Sequence, residues 1–399
     1  MTAKRACSAA AHGLAIALLG GCAGRTELGV VGTDTEVDGS QAFATGGRHA
    51  GSFGNDQNAG RSGAAGDAGS VEHVEYVLVV TVDGLAPRFL DELLDAGQTP
   101  TFRRLQALGS YTHNARSDYT HTVTLPNHTS ILTGRPVLSV EGYPPDLPHG
   151  YVLNSAPTVD MTLHNSGNPE LDYVNGMFDV AHDRGLTTCL FAGKDKFAIF
   201  EQSWNDVSGA PDSIPPDDGR GKIDVSLIAH NESQRLVDAF VEQMEVNPCH
   251  LTLLHFTDTD PGGHEFGWGS EEWLELLRRI DSWLATILYA ISSNPHLRDT
   301  FALILTADHG GTDYGHSEPG DPRNYTVPFY IVAPGFGAGT DLYTVFGEQL
   351  ADPGEARPSY TDPEQPLRNG NAANLALSLL GLPQLEGSLM RDLDLPGRP

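Results

Sequence analysis

The stretch Val77-Leu78-Val79-Val80-Thr81-Val82 decides the fold. Six consecutive residues, all apolar or β-branched, have no polar face, so the segment reads as a strand buried on both sides rather than one face of an amphipathic sheet. Similar runs recur at Thr187–Phe191, Leu251–Phe256, Phe301–Thr306 and Val327–Val332. Helical periodicity falls between or beyond them, over Pro100–Leu108 (with Thr99 and Thr101 as candidate caps), Leu171–Arg184, Ser233–Val246, Glu271–Ser293 and Ala372–Leu380. Strands alternating with helices predict an α/β fold, a mostly parallel central sheet with helices on both faces. The Pro/Asp-rich stretch Ser208–Lys222 reads as an inserted loop or lid, and Asp352–Pro366 as a second loop. No internal repeat is visible.

Outside this body the chain changes character. Lys4 and Arg5 precede a short apolar run, Ala9–Leu19, that is shorter than the ~20 residues of a membrane span. Leu19-Gly20-Gly21-Cys22 resembles a bacterial lipobox, so residues 1–22 read as a lipoprotein signal with a lipid anchor on Cys22. Plain secretion with cleavage nearby is the alternative. Ala23 stands where an Asp would favour retention in the inner membrane, which points to the outer membrane of a bacterial envelope. Residues 23–70 hold 12 glycines in 48 positions without apolar periodicity. Such a stretch buries too little surface to offset its ordering entropy, so 23–71 reads as a flexible tether and 72–399 as the single folded domain.

The 399 residues carry 52 acidic and 24 basic side chains, a net charge of -28. That balance excludes a nucleic-acid scaffold, which binds phosphates through Lys/Arg surfaces, and a polybasic membrane module. An enzyme of phosphate esters remains compatible if bound metal supplies the cations. Four cysteines exclude a disulfide scaffold. Cys189 and Cys249, each near the start of a strand, are either one disulfide in an oxidising compartment or two buried thiols.

In open α/β sheets, ligands gather beyond the carboxyl ends of strands. The first strand ends in Asp83-Gly84. The strand 251–256 runs into Asp258, Asp260 and His264, and the strand 301–306 into Asp308-His309-Gly310-Gly311, with His316 soon after. Thr124-Leu125-Pro126-Asn127-His128 opens a helix-like run ending at Gly134. Each piece alone has an ordinary explanation: a turn, a cap, a solvated pair. Together, three Asp, three His and a hydroxyl suit two zinc ions, which take imidazole nitrogen and carboxylate oxygen. Paired metals clamp the attacking and leaving oxygens of an in-line displacement.

In this order the elements resemble the alkaline phosphatase superfamily, and within it the nucleotide pyrophosphatase/phosphodiesterase (type I phosphodiesterase) branch. The resemblance runs from residue 76 to about 390 and is most specific in Thr124–Gly134. It implies that Asp83, Asp308 and His309 hold one zinc, which also meets the Thr124 oxygen, and that Asp260, His264 and His316 hold the other. Asp258 rivals Asp260 but lacks a histidine four residues on. His316 follows the Asp-His pair by only seven positions, closer than in the nucleotide-hydrolysing enzymes. Thr124 would be the nucleophile, forming a phospho-threonine, with the helix N-terminus helping to hold phosphoryl oxygens. Asn154 resembles the family's phosphate-binding asparagine, although it lies 30 positions past Thr124.

The implied substrate is a small phosphate ester, with a diester or pyrophosphate favoured. Lys194 and Lys196 resemble the Lys-x-Arg element of threonine-nucleophile monoesterases, with a point charge in place of the Arg fork, which keeps a phosphomonoesterase open. The absence of a Cys/Ser-x-Pro-x-Arg motif argues against a sulfatase, and threonine rather than serine argues against a cofactor-independent mutase. A non-catalytic surface lipoprotein with a degenerate site is the reading from another class. His121, His128 and His255 flank the proposed site, while Trp204, Trp268, Trp273 and Trp283 read as core or pocket rim.

Overall fold

The computed structural model describes residues 73–390 and 393–397. The expected leader over 1–22, its anchor Cys22 and the tether over 23–71 lie outside them. Seven strands form one sheet: β1 (Tyr76–Val82), β2 (Ser110–Arg116), β3 (Thr188–Ala192), β4 (Val225–Ile228), β5 (Leu251–Phe256), β6 (Phe301–Thr306) and β7 (Thr326–Val332). Their order across the sheet is β2-β7-β6-β1-β5-β3-β4. β6, β1, β5, β3 and β4 pair in parallel, and β7 pairs antiparallel with both β6 and β2. β1 is central, and after Tyr76 every residue of it is buried, as a run without a polar face requires.

Helices cover both faces. Thr124–Thr133, Met177–His182 and Asn371–Leu379 pack together, while Glu271–Ser293 gathers Pro100–Leu108, Ser233–Val246 and Thr259–Phe266. The expected helix over 171–184 is shorter, with regular turns confined to Met177–His182. The candidate caps Thr99 and Thr101 do not cap the helix at Pro100. Its Thr101 and Phe102 N–H groups donate to the Asp281 carboxylate, 2.9 Å away. A side chain 180 residues downstream thus fills a role worth about 1 kcal/mol that sequence assigns to the neighbour.

Two edge strands, β2 and β4, carry no apolar run. β2 is polar and breaks register between Thr112 and Ala115, and β4 has only four residues, features of edges that need no two-sided burial. The stretch Ser208–Lys222 is a loop, as expected. It returns at Lys222, whose carbonyl accepts from Thr188 Oγ1 at 2.7 Å, at the amino end of β3. Cys189 and Cys249 form a disulfide. Among the described residues no helix is long and apolar enough to cross a membrane.

Candidate functional site

Because β1, β5, β6 and β3 are parallel, their carboxyl ends share one edge of the sheet. β1 delivers Asp83 there, β6 delivers Asp308 and His309, and β3 delivers Lys194. Beyond β5 the chain enters the helix Thr259–Phe266, and the four-residue spacing of Asp260 and His264 puts both on one helical face. The helix Thr124–Thr133 begins at Thr124 itself, after extended Val123, and ends at Gly134. Gly134 has φ +62, and a Cβ there would lie 2.2 Å from Ser388 Oγ, so the stop is specific to glycine.

These residues form two groups, each able to hold a metal ion: Asp83, Asp308 and His309, and Asp260, His264 and His316. In the first, His309 Nε2 lies 3.4 Å from Asp83 Oδ1 and 3.3 Å from Asp308 Oδ2. In the second, Asp260 Oδ1 is 3.4 Å from His264 Nε2 and 3.2 Å from His316 Nε2, and the two nitrogens are 3.2 Å apart. A tetrahedral ion with bonds of ~2.0 Å has ligand-to-ligand edges of ~3.3 Å, the spacing found in both groups.

The proton positions agree with this. Nδ1 of His264, His309 and His316 faces a backbone carbonyl (Tyr314, Gly310 and Thr122, at 2.9, 2.8 and 2.6 Å). A carbonyl only accepts, so each Nδ1 carries the proton and each Nε2 presents a lone pair to its group. Asp83 Oδ1, Asp308 Oδ2, Asp260 Oδ1 and His309 Nε2 are buried without a hydrogen-bond partner among the described residues. Buried polar atoms are ordinarily paired, so four orphans converging on two points fit bound cations.

Thr124 is buried, with Oγ1 3.5 Å from Lys194 Nζ. The same ammonium lies 2.7 Å from Asp83 Oδ2 and 2.5 Å from Asp260 Oδ2, joining one carboxylate of each group. Burial would lower the Lys194 pKa, but the two carboxylates raise it, so it stays charged. Burial would also raise Asp83; Lys194 overrides this and holds the carboxyl below the usual range. Asp308, with burial and neighbouring Asp83 acting in one direction, is raised well above it. His309 is pushed down to about 3 by burial and by His316, which keeps it neutral and able to ligate.

Asn154 is brought to this edge despite its distance in sequence. Its Oδ1 accepts from Leu125 N at 3.0 Å and from Lys196 Nζ at 2.9 Å. The Leu125 N–H at the start of the Thr124 helix is thus taken up by Asn154. Asp258 is turned aside to Ser233 Oγ. His128 bridges Thr124 O and Thr81 Oγ1, and His255 joins Gly193 N to Asp83 Oδ2. The His121 imidazole meets its neighbour Thr120 Oγ1. The sequence reads Trp204, Trp268, Trp273 and Trp283 alike, as core or pocket rim. Of the four, Trp268 is the one that touches both histidines of the second group, and no sequence spacing signals it.

A family model described as type I phosphodiesterase / nucleotide pyrophosphatase matches residues 77–138 and 175–325, a span that includes both metal groups, Thr124, Lys194 and Lys196 but not Asn154. Ectonucleotide pyrophosphatase/phosphodiesterase family member 7 of Mus musculus is 24% identical over 199 residues, 48% of this chain and 40% of that protein. The human protein of that name is 33% identical over 90 residues, 21% of this chain and 19% of its own. The chain thus spans less than half the length of these curated relatives. Among solved structures, murine ectonucleotide pyrophosphatase/phosphodiesterase 5, as an inactive threonine-to-alanine variant in complex with AMP, superposes with a TM-score of 0.50. It is 13% identical, with 77% of this chain and 96% of that one covered. An alkaline phosphatase superfamily protein from Vibrio parahaemolyticus gives 0.50 at 12% identity, covering 80% and 69%. At these identities the structural likeness concerns the fold.

Proposed function

The chain belongs to the type I phosphodiesterase / nucleotide pyrophosphatase family, and on that premise we propose that it is a two-zinc hydrolase of small phosphate esters working through a phospho-threonine. The observation that carries this reading is the gathering of Asp83, Asp308 and His309, and of Asp260, His264 and His316, into two ligand groups in which Asp83 Oδ1, Asp308 Oδ2, His309 Nε2 and Asp260 Oδ1 are buried without a hydrogen-bond partner among the described residues, with Lys194 joining both groups to Thr124. Zinc bound there would act as a Lewis acid, favouring the ionised Thr124 hydroxyl and the charge on the phosphoryl oxygens. Thr124 Oγ1 attacks phosphorus and the ester oxygen leaves with a proton. Water then adds to phosphorus, and Oγ1 departs with its proton restored. Asn154 donates to a phosphoryl oxygen, and Lys194 holds Asp83, Asp260 and the Thr124 oxygen in one arrangement. Three ligand carboxylates and an alkoxide balance two zinc ions, so Lys194 supplies the surplus positive charge that an incoming anion needs. That an inactive form of the murine relative replaces a threonine supports the role given to Thr124.

Diester or pyrophosphate bonds are the proposed substrates. One contact favours a second reading, monoester hydrolysis: Lys196 rests on Asn154, which places a further cation where a dianionic phosphate would sit. The protein is also proposed to be exported and held to a bacterial envelope through Cys22, and the Cys189–Cys249 disulfide suits such an oxidising compartment.

Initial rates on a nitrophenyl diester and the matching monoester test both readings. The zinc-loaded protein should favour the diester by about tenfold or more, and Thr124→Ala should lose at least ~10³ in kcat while binding zinc as before. A faster monoester moves the assignment to the second reading. Unimpaired turnover by Thr124→Ala removes the nucleophile assignment altogether.

A further inference from the structure

Trp268 occupies a space cut out by glycines from three separate strand-end segments. A Cβ on Gly263 would lie 2.4 Å from the indole, one on Gly311 2.1 Å, and one on Gly84 3.2 Å. Gly84 follows the metal-group residue Asp83, Gly263 precedes His264, and Gly311 comes two positions after His309. The ring set into this space is itself buried, at 6 % exposure. Its face and edge meet both histidines of the second group, His264 at 5.3 Å and 85° and His316 at 5.8 Å and 64° between ring planes. Its Nε1–H donates to Gly84 O at 2.9 Å, and the Gly84 N–H donates in turn to Asp308 Oδ1 at 3.1 Å.

The two metal groups differ in how much they depend on such a neighbour. Asp83, Asp308 and His309 are fully buried, so close packing on all sides fixes their rotamers. The His264 side chain is 47 % exposed and stands in the last turn of its helix, where a free imidazole keeps rotamer freedom that ion binding must remove. The indole wall and the Tyr314 carbonyl restrict that freedom before any ion arrives.

We propose that Trp268 is a positioning residue that sets the affinity of the Asp260–His264–His316 group for its ion and leaves the Asp83–Asp308–His309 group largely unaffected. The inference rests on the two-metal reading above and adds a residue outside either ligand set. Trp268 touches no reacting atom, so its effect should appear in metal binding before it appears in chemistry.

The test is a zinc titration of the metal-stripped, full-length protein by competition with a chromophoric chelator. His264→Ala marks which of two binding steps belongs to the second group. Trp268→Leu should weaken that step by about 10- to 100-fold and leave the other within about threefold, the range seen when ligand-orienting neighbours are lost. Trp268→Phe keeps a ring against the histidines and should recover most of the loss. Gly263→Ala, which leaves the indole present but displaces it, should weaken the same step. Melting of each variant in chelator establishes that it is folded, and Gly263→Ala keeps the test available if Trp268→Leu is not. Two unchanged steps in Trp268→Leu and Gly263→Ala, or equal weakening of both steps, overturn the proposal. A wild-type protein that binds no zinc overturns the two-metal reading together with it.

Discussion

The two edges of the sheet each gather histidine and aspartate, and they use them in opposite ways. At the amino edge, beside β3, His182, Asp183 and Asp212 lie as close to one another as the ligands of either metal group. Lys222 is inserted among them. Its Nζ donates to Asp183 at 3.0 Å, to Asp212 and to Gly219 O at 3.0 Å, so all three protons are spent on the protein. His182 Nδ1 faces Asp212 at 3.2 Å and Asp218 at 3.3 Å. The cluster is closed. At the carboxyl edge Lys194 also joins two carboxylates, but it takes only Oδ2 of Asp83 and of Asp260 and leaves each Oδ1 without a partner. Proximity of ligand-type residues is common to both edges; unspent lone pairs belong to one. A metal centre is better recognised by what its residues have left over than by how near they are.

The difference can be broken most forcefully at Asp308. Asp308→Asn keeps the acceptor for Gly84 N and His309 N but puts an amide where Oδ2 faces the group. Turnover should fall by ~10³ or more, about 4 kcal/mol, and the zinc content of the purified protein should drop by one ion with little change in fold. Undiminished zinc in elemental analysis would remove the carboxyl edge's claim to be the open one.

A closed cluster predicts a different symptom. Lys222→Met leaves Asp183 and Asp212 facing each other without their cation, and should cost about 3 kcal/mol of stability in urea unfolding with zinc content unchanged. If Lys222→Met instead keeps wild-type stability, the ammonium is not what closes the amino edge.

The smallest expected effect is a pH signature of the amino edge. Burial pushes Asp179 up to about 6 despite the hydrogen bonds it accepts from Tyr173 Oη and Gly176 N. The folded chain therefore binds that proton more tightly than the unfolded chain, whose aspartate titrates near ~3.9. The stability this contributes is fully present below the unfolded value and is lost as pH rises through about 6. Between pH ~5 and ~7.5 it amounts to about 1 kcal/mol, and Asp179→Asn, which mimics the protonated form, should flatten that part of the curve. An unchanged slope in urea melts at the two pH values would show that Asp179 does not set it.

Much of this is legible in the sequence. The run 77–82 announces a doubly buried strand because a parallel sheet admits no polar face, and it fixes where Asp83 must emerge. The stretch Thr124–Gly134 carries both its helix and its stop, and the ligand-type residues follow strand ends because that is where parallel strands leave loops on one edge. What stayed hidden depends on contacts between distant segments. Asp281 caps a helix 180 residues away, Asn154 takes up Leu125 N across 29 residues, and β2 and β4 pair at edges where no hydrophobic pattern is required.

Residue types and their order are chemistry the chain carries locally, and the sequence alone determined them: the α/β architecture, the family, and which Asp, His and Thr stand at the strand ends. Whether a lone pair is spent or free is a property of three-dimensional neighbours. Only the tertiary structure decided that Lys222 closes one cluster while the carboxylates held by Lys194 keep an oxygen each, and that three glycines open a place for Trp268. Which distant side chains meet is set by packing that joins residues regardless of their separation along the chain, and local sequence does not record that pairing.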